Sequence, residues 1–475
     1  MTLHVATLGN IAQNAYLLAR FLRRLGVEAD SYDAGGGNSM WVPWWEDASF
    51  DESEIGPHYW AWSRVAAKTG VERPSWAKIM GNDAAEAWYD TQEAYEADLG
   101  RLMAGYQRTV VPEPRQRREV MAALRRSRLS TEEQKALVEP AISLLSWRSM
   151  IAIARQYDLV VLCGPLAGYA PVFPADIPYI TFEHATMRSV PRLDTGDQRL
   201  IAAAYQHADW NIITNADCRE AAWMLGLEKF SFIPHPFDEE KFSPGDDVFG
   251  AKIREALGVD LLIYIPSRHS FNESSGTKRS DRAVYAFARY VREAEPKGAP
   301  RAALLLSAWG EHAKLVEQLT ERLGINDRVK WLQSMPKPKV LRMLRAADIV
   351  MDQFSESVGS FGTTTIEALS VGKPVITYIN AERHEWCLSS IPPVCNALTA
   401  DQIYQWLVYL ALNPEHRAQY GRDGRAWVLE HHGWRRVAEE HLELYERVLA
   451  GKGRSNGRVS VVEQEAQHVE MPVPV

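Results

Sequence analysis

GSFGTTTIEALSVGKPVITY, residues 359–378, is the most informative stretch of this 475-residue chain. A turn of small residues leads into three threonines and a helix-type apolar segment, which stops at Gly372 before a buried-type strand. The N–H groups and the dipole at such a helix N-terminus favour a phosphate, and Glu367 is placed about one turn inside, where it can accept hydrogen bonds from sugar hydroxyls. An ordinary helix–strand unit whose glutamate faces water explains this stretch equally well, so other parts of the chain must decide.

A strand, a turn and a helix also open the chain. Residues 4–8 predict a buried strand, residues 11–25 a helix and residues 28–32 a second strand, with Gly9 and Asn10 in the first turn. Doubly wound nucleotide-binding domains begin with this arrangement. The chain has no G-x-G-x-x-G phosphate loop at this turn, so the turn is a modest sign of a binding site.

The alternation of strands and helices predicts an α/β protein, with two Rossmann-like doubly wound domains that face a cleft. We predict a first domain at residues 1–240, with a helical, tryptophan-rich insertion at about 35–156, and a second domain at 241–425. A C-terminal helix at 426–450 and a disordered polar tail at 451–475 follow. Such sheets usually bind ligands at the carboxyl ends of their strands, so we expect a ligand in the cleft.

The composition predicts a globular protein of the cytoplasm. The chain is 46% hydrophobic and 24% charged, and its net charge of −8 gives no overall attraction to nucleic acid. Four cysteines without a C-x-x-C spacing suggest neither a zinc site nor a disulfide framework. The N-terminus lacks the features of a signal peptide, and the longest apolar stretch, residues 159–173, is broken by glycine and proline.

Two cations of the second domain are candidates for binding a diphosphate. Arg268 follows the predicted strand 261–265, and Lys278 just precedes a predicted helix, so we expect both near the cleft. Fixed positive charges there would stabilise a diphosphate that gains charge as its bond to another group breaks. Solvated loop cations with no ligand are the alternative interpretation.

Together these motifs resemble the retaining glycosyltransferases of family 4, which have the two-domain GT-B architecture. The resemblance covers most of residues 1–450, apart from residues 35–156. It implies that Arg268 and Lys278 bind the donor diphosphate, that Glu367 binds the nucleotide ribose, and that the terminal helices cross back onto the first domain. The other donor-binding candidates that it suggests are Gly9, Asn10, Leu332, Gly362, Thr363 and Thr364.

His184 lies in the segment TFEHATMR, residues 181–188, which follows an apolar strand of the first domain. The family often places an active-site histidine there, near the donor sugar, where it would hydrogen-bond a hydroxyl or stabilise charge near the reacting carbon. A structural histidine is the alternative. Glu183 alternates with His184, so we expect one of the two side chains to face the cleft and the other to pack away.

The chain departs from the family at Gly359, where the first acid of the family's Glu-x7-Glu pattern would stand. That acid usually holds hydroxyls of the donor sugar, and Glu367 is the second acid of the pattern. Glu356, three residues before Gly359, would replace the missing acid through a different loop path, or the donor is recognised otherwise. The departure leaves the sugar open and also fits a relative that has lost catalysis.

The resemblance implies an enzyme that moves a sugar from a nucleotide-diphosphate sugar to an unknown acceptor, a glycan, a lipid-linked or a small molecule, with retention of configuration. It implies no cofactor and no metal ion, because Arg268 and Lys278 would supply the positive charge. We expect no nucleic-acid partner. A sugar-nucleotide epimerase of the same architecture and an inactive sugar-nucleotide-binding protein remain alternatives.

Two features of the insertion have open roles. Residues 101–128 contain eight arginines against two acids, so a helix there would lie on an anionic membrane or bind acidic acceptors, or else pack an apolar stripe on the core. Seven tryptophans in residues 35–88 would line an acceptor site or fill a core, and we favour the core for most of them. Further helical segments are predicted at residues 84–107, 115–128, 131–156 and 400–449.

Overall fold

The structure is a computed structural model that describes residues 2–33, 42–51, 62–79, 114–144, 147–271 and 277–452. The strands of its first sheet are β1 (His4–Leu8), β2 (Glu28–Asp33), β3 (Ala77–Ile79), β4 (Leu159–Cys163), β5 (Tyr179–Phe182), β6 (Trp210–Ile213) and β7 (Phe230–Phe232). The strands of its second sheet are β8 (Leu261–Ile265), β9 (Ala302–Ser307), β10 (Val329–Leu332), β11 (Ile349–Met351), β12 (Val375–Thr377) and β13 (Cys395–Asn396).

All neighbouring strands in both sheets run parallel. Their orders are β3-β2-β1-β4-β5-β6-β7 and β10-β9-β8-β11-β12-β13, so each sheet grows in both directions from its first strand. The central strands β4, β8 and β9 are buried along their whole length, because helices cover both faces of a parallel sheet. Two doubly wound α/β domains were predicted from the sequence, and the structure confirms them.

The helices of the first half are α1 (Asn14–Arg24), α2 (Trp44–Asp47), α3 (Trp62–Thr69), α4 (Pro114–Leu124), α5 (Thr131–Ile142), α6 (Trp147–Ala154), α7 (Gly196–Gln206) and α8 (Arg219–Met224). Those of the second half are α9 (Val248–Leu257), α10 (Ser280–Arg289), α11 (Ala313–Arg322), α12 (Lys337–Ala346), α13 (Thr363–Ser370), α14 (Ala400–Leu412), α15 (Pro414–His431) and α16 (Trp434–Ala450). Short 3₁₀ segments at Thr186–Arg192, Ala216–Cys218 and Glu382–His384 lie at the boundary between the two domains.

The predicted insertion is partly a component of the first sheet. Strand β3 pairs in parallel with β2, so residues 77–79 of the predicted insertion form one edge of the first sheet. Trp44 and Trp45 are each 2% exposed, and Trp76 stacks on Tyr16 with 4.9 Å between the ring centroids, which confirms a core role for these three indoles. The helix predicted at residues 84–107 lies outside the described residues.

Residues 131–156 form two helices, not the single helix predicted. Helices α5 and α6 meet at an angle of 115°, and Pro140 in the last turn of α5 removes one backbone donor just before that helix ends. In the described part of the chain, only this bent pair meets the length and composition expected of a membrane span, and no single helix does. Side chains of both helices, including Val138 and Met150, pack in the core of the first domain.

The basic segment 101–128 can be judged only from its second part, because residues 101–113 lie outside the described residues. Helix α4 buries Val120 and Leu124 in the core of the first domain, which leaves this apolar stripe unavailable to a lipid surface. Arg128 donates to Asp209 over 2.9 Å and to two backbone carbonyls. In the described part of this segment the apolar stripe therefore packs on the core, which is the second of the two interpretations.

The region predicted as helical from 400 to 449 contains three helices, α14, α15 and α16. The first break precedes Pro414, and the second lies at Gly433. Trp427 of α15 packs with the second domain, whereas Tyr445 of α16 packs in a core cluster with β1 and β4 of the first. The chain therefore returns to the first domain between these two helices.

Candidate functional site

Lys278 is held at the start of helix α13. Its Nζ atom lies 3.0 Å from Asp352 Oδ1 and 2.8 Å from Gln353 Oε1, both just beyond strand β11. Asp352 is fully buried and also accepts hydrogen bonds from the hydroxyls of Ser267 and Thr365. A Cβ atom built on Gly362, the residue that precedes α13, would stand only 3.5 Å from the same Nζ atom. An ammonium group thus lies beside the N-terminus of a helix.

That helix end has the features of an anion site. The backbone of Gly362 is extended, and no side chain caps the helix. Thr363 and Thr364 are half-buried in the first turn, while Thr365 turns inward to Asp352. The partial positive charge of the helix N-terminus and the Lys278 ammonium act on the same region, which suits a phosphate group.

Two arginines, one from each domain, act on the ammonium group of Lys278. Burial lowers the pKa of Lys278, the Asp352 carboxylate raises it, and the positive charges of Arg268 and Arg188 lower it further. Arg268 follows strand β8 and is half-buried, as predicted for a residue at the end of a strand. Arg188 belongs to the first domain, where Asp217 holds its guanidinium through Nε and Nη2. Like charges this close favour a bound anion.

Sequence reasoning missed Arg188 as a site residue. It lies four positions after His184 in the same segment, and a cation beyond a strand end was the available signal. Asp352 was missed as well, because one acid after a short apolar strand is common in α/β proteins. Only its contacts with Lys278, Ser267 and Thr365 identify it as the residue that positions the ammonium.

Glu367 is buried in α13 and is already ion-paired. Its Oε1 atom accepts from Nζ of Lys337, at the start of α12. Burial lowers the pKa of Lys337, but the carboxylates of Glu367 and Glu46 outweigh it and raise that pKa. Glu46 comes from α2 of the first domain and lies 2.6 Å from Lys241. The carboxylate predicted to bind ribose is therefore part of a charge network that reaches both domains.

His184 lies just beyond β5 with one ring nitrogen unpartnered. Asn14 Nδ2, which can only donate, is 2.9 Å from Nδ1, so the proton of the neutral ring is on Nε2. Nε2 is buried and has no hydrogen-bond partner among the described residues. Burial, with a smaller contribution from His235, places the pKa of His184 well below its ordinary value. His184 is thus a neutral imidazole with a donor to offer.

Glu183 takes the opposite orientation. Its carboxylate accepts from the backbone and hydroxyl of Thr214, from Asn215 and from Cys218, all within the first domain. Burial raises the pKa of this carboxyl group, against the opposing charge of Arg188. Glu183 is therefore a buried structural group of the first domain.

The remaining predicted donor contacts lie at strand ends. Gly9 has φ +90°, and a Cβ there would stand 2.9 Å from the carbonyl oxygen of Cys163, so only glycine fits this turn. Asn10 accepts from the N–H of Tyr16 over 3.2 Å and thereby caps α1. Leu332 ends β10, and its carbonyl accepts from Ala308 over 2.7 Å. No contact joins these three residues to Lys278 among the hydrogen bonds of the described chain.

Gly359 takes a backbone conformation that would be strained for the glutamate found at this position in the family. Its φ is +53°, and an added Cβ would stand 3.0 Å from Cβ of Asn380 and 3.2 Å from Nη1 of Arg383. The same Nη1 donates to the carbonyls of residues 356, 357 and 358 at 3.3, 2.7 and 2.9 Å. Glu356 is exposed on this loop. The loop therefore follows a path that requires glycine at the position where the family has an acid.

A pocket of about 660 Å³ lies between the two domains beside these residues. Trp386 Nε1 of the second domain donates to the Ala216 carbonyl of the first over 3.1 Å, so the domains touch at its wall. The residues that define it include Arg188, Arg219 and Trp223 of the first domain, and Ser357, Arg383 and Trp386 of the second.

Comparison of folds assigns the architecture. HepE of Anabaena in complex with UDP superposes over 93% of this chain and 99% of its own, with a TM-score of 0.56 and 14% identity. Sucrose-phosphate synthase from Thermosynechococcus elongatus superposes over 94% and 100%, with a TM-score of 0.57 and 16% identity. The chain therefore has the GT-B fold, as expected from its motifs.

Sequence comparison identifies similar proteins among the glycosyltransferases. Residues 275–382 match the family model of the glycosyl transferases group 1 and contain Lys278, Asp352, Gly362 and Glu367. A D-inositol 3-phosphate glycosyltransferase of Corynebacterium urealyticum is 29% identical over 251 residues, 48% of this chain and 58% of the relative. Its counterpart in Kribbella flavida is 28% identical over 195 residues, 38% and 42% of the two chains. A mannosylfructose-phosphate synthase of Agrobacterium fabrum is 26% identical over 235 residues, 47% and 48%.

The match spans about half the length of these curated relatives. This protein thus has the GT-B fold, and its second half contains a segment similar to the glycosyl transferases group 1.

Proposed function

We propose that this protein is a glycosyltransferase that moves a sugar from a nucleotide-diphosphate sugar to an acceptor hydroxyl. The observation that carries the proposal is the position of Lys278, which Asp352 and Gln353 hold against the N-terminus of α13 at the domain boundary. A fixed ammonium beside a helix N-terminus offers both donors and positive charge to a diphosphate. The group 1 domain match and the UDP bound to the structural neighbour HepE agree with this donor class.

In this proposal different residues bind the diphosphate, the ribose and the sugar of the donor. Lys278 and Arg268 neutralise the charge that develops on the diphosphate, and the first turn of α13 contacts a phosphate oxygen through backbone N–H groups. Glu367 accepts from the ribose hydroxyls, with Lys337 holding its carboxylate in place. His184 donates from Nε2 to a hydroxyl of the donor sugar, which gives that buried donor the partner it lacks.

The reaction would retain the configuration of the sugar. The bond between the anomeric carbon and the diphosphate oxygen breaks, and the acceptor oxygen bonds to the same carbon from the face that the leaving group vacates. The acceptor proton passes to a phosphate oxygen of the departing diphosphate. Because Arg268 and Lys278 supply positive charge at the leaving group, we propose that no metal ion is required.

The experiment measures the thermal midpoint with UDP, GDP or ADP, and then the release of nucleoside diphosphate from the matching nucleotide sugars. We expect one nucleotide to raise the midpoint of the wild type and of a Lys314→Met control, an exposed lysine on α11, but not that of Lys278→Met. Arg268→Ala should lose diphosphate release. If none of the three nucleotides stabilises the wild type, the proposal fails.

A second candidate is a sugar-nucleotide-binding protein without transfer activity. The observation that favours it is Gly359, whose loop has no acid at the position where the family usually holds the donor sugar. The two candidates predict the same nucleotide binding. They differ in turnover, because only the enzyme releases diphosphate from a bound donor at a rate that Arg268→Ala abolishes.

A further inference from the structure

The pocket between the domains shares one cation, Arg188, with the surroundings of the proposed donor site. The 3₁₀ segment Thr186–Arg192 and helix α8 form its first-domain wall, and residues 357–358 and 380–386 form the opposite wall. Arg188 lines this pocket, and its charge also lowers the pKa of Lys278. A molecule in the pocket would therefore contact a cation that also acts on Lys278, the group that we propose binds the donor diphosphate.

Two of the four arginines in the pocket wall are neutralised by acids. Arg188 pairs with Asp217, and Arg192 pairs with Glu220 at 3.0 Å. The other two, Arg219 and Arg383, form no ion pair with a carboxylate in the described part of the chain.

Neither of these guanidinium groups is mobile in solvent. Arg219 lies over two indole rings, 4.3 Å from the centroid of Trp223 and 5.3 Å from that of Trp386, and its buried Nε has no hydrogen-bond partner. Arg383 is fixed by the three loop carbonyls that its Nη1 binds. Held cations without a paired acid are the usual arrangement for binding phosphate or carboxylate.

The mouth of the pocket is apolar. Of its lining residues, Leu193 is 52% exposed and Trp223 is 49% exposed. Large apolar side chains seldom cluster with such exposure unless they contact a ligand or a surface. Indole faces stack well on sugar rings and pack well against acyl chains. The wall thus combines two fixed cations with large exposed apolar side chains.

We infer that this pocket is the acceptor site and that the acceptor carries an anionic group, a phosphate or a carboxylate, which Arg219 and Arg383 bind. The body of the acceptor, a ring or an acyl chain, contacts Trp223, Trp386 and Leu193. The inference rests on the proposed function, because it names the acceptor class of the same reaction. The anion comes either from a soluble phosphorylated sugar or from a lipid headgroup, and both offer the same chemistry to the arginines.

The test compares binding to the full chain by calorimetry and vesicle sedimentation. The probes are glucose 6-phosphate against glucose, and phosphatidylcholine vesicles with against without phosphatidic acid. We expect preference for the anionic member of at least one pair, and a loss of about tenfold or more in affinity for Arg219→Gln and for Arg383→Gln. Arg199→Gln on α7 removes the same charge outside the pocket and should bind as the wild type does. The preferred pair identifies the source of the anion.

The failure of this inference differs from that of the proposed function. Binding of UDP, GDP or ADP, measured on the same variants, should be unchanged by Arg219→Gln and Arg383→Gln. If a nucleotide binds but neither anionic probe is preferred, or if Arg219→Gln and Arg383→Gln bind the anion as tightly as Arg199→Gln does, the acceptor inference is wrong and the donor proposal survives. If no nucleotide binds the wild type, the donor proposal itself fails.

Discussion

Replacing Lys278 with methionine should damage both the fold and nucleotide binding, and the two effects can be separated. Methionine keeps most of the length and apolar body of the side chain but removes the ammonium. The variant leaves the carboxylate of Asp352, which is 0% exposed, without its cation. Only the hydroxyls of Ser267 and Thr365 would still donate to it.

The size of the stability loss follows from this geometry. Removing one partner of a buried ion pair costs about 3–5 kcal/mol, since the other charge stays buried. Two hydroxyl donors remain, so we expect the lower end, about 3 kcal/mol. The double variant Lys278→Met/Asp352→Asn removes the stranded charge and keeps an amide that bonds with both hydroxyls. It should recover most of the lost stability.

Nucleotide binding should not recover in the double variant. A hydrogen bond to a charged group contributes about 1.5–3 kcal/mol, so loss of the ammonium should weaken nucleoside diphosphate binding by roughly 10–150-fold in both variants. Urea unfolding gives the stability, and calorimetry with UDP, GDP and ADP gives the affinity. Recovery of affinity together with stability in the double variant would refute a direct contact between Lys278 and the diphosphate. Unchanged affinity in the single variant would refute it as well.

Three further outcomes are expected. Burial lowers the pKa of His432 to about 3, below the ordinary value of 6.5, so the unfolded state binds more protons between these pH values. Urea stability should therefore fall as the pH drops below about 6.5, and this histidine should contribute up to roughly 1.4 kcal/mol per pH unit to the fall. His432→Gln should make the profile less steep, and an unchanged slope would contradict the role of this histidine. Glu367→Gln should weaken binding of the preferred nucleotide by about tenfold and leave the binding of inorganic pyrophosphate unchanged, because only the nucleotide has ribose hydroxyls. Equal losses of affinity for the nucleotide and for pyrophosphate would contradict the ribose role. Gly258→Ala should lower the free energy of unfolding by about 1–2 kcal/mol, because its φ is positive. Gly359→Ala should lower it by more, because Gly359 has a positive φ and is also crowded. Equal losses would show that the loop can move to accommodate the added methyl group.

The strand ends of the two domains were predictable because each strand is a short apolar run bounded by turn residues. Arg268 and Lys278 could be chosen as candidates for that reason, since each stands next to the end of an element. The partners of these cations could not be chosen. Asp352 lies 74 positions from Lys278, and neither its spacing nor its residue type separates it from other acids that follow strands.

Local sequence patterns gave incomplete predictions where tertiary packing determines the structure. The periodicity of residues 131–156 continues through the break between α5 and α6, and the core of the first domain accepts both pieces at a sharp angle. The basic helix α4 has an apolar stripe that would suit a lipid surface, but the first domain already covers it. Hydrophobic pattern shows that a face is buried, and does not show what buries it.

By itself the sequence determined the class of fold, because apolar runs and helix periodicity in alternation have one stable arrangement, the parallel sheet with helices on both sides. It also determined which segment, 359–378, begins a helix with small residues and threonines. Only the tertiary structure decided that Arg188 of one domain acts on Lys278 of the other and that Lys337 holds Glu367. It also decided that two arginines without paired acids line one pocket together with two indoles. Those contacts depend on the order of strands in each sheet and on how the two sheets face each other. The spacing of residues along the chain does not determine either of these.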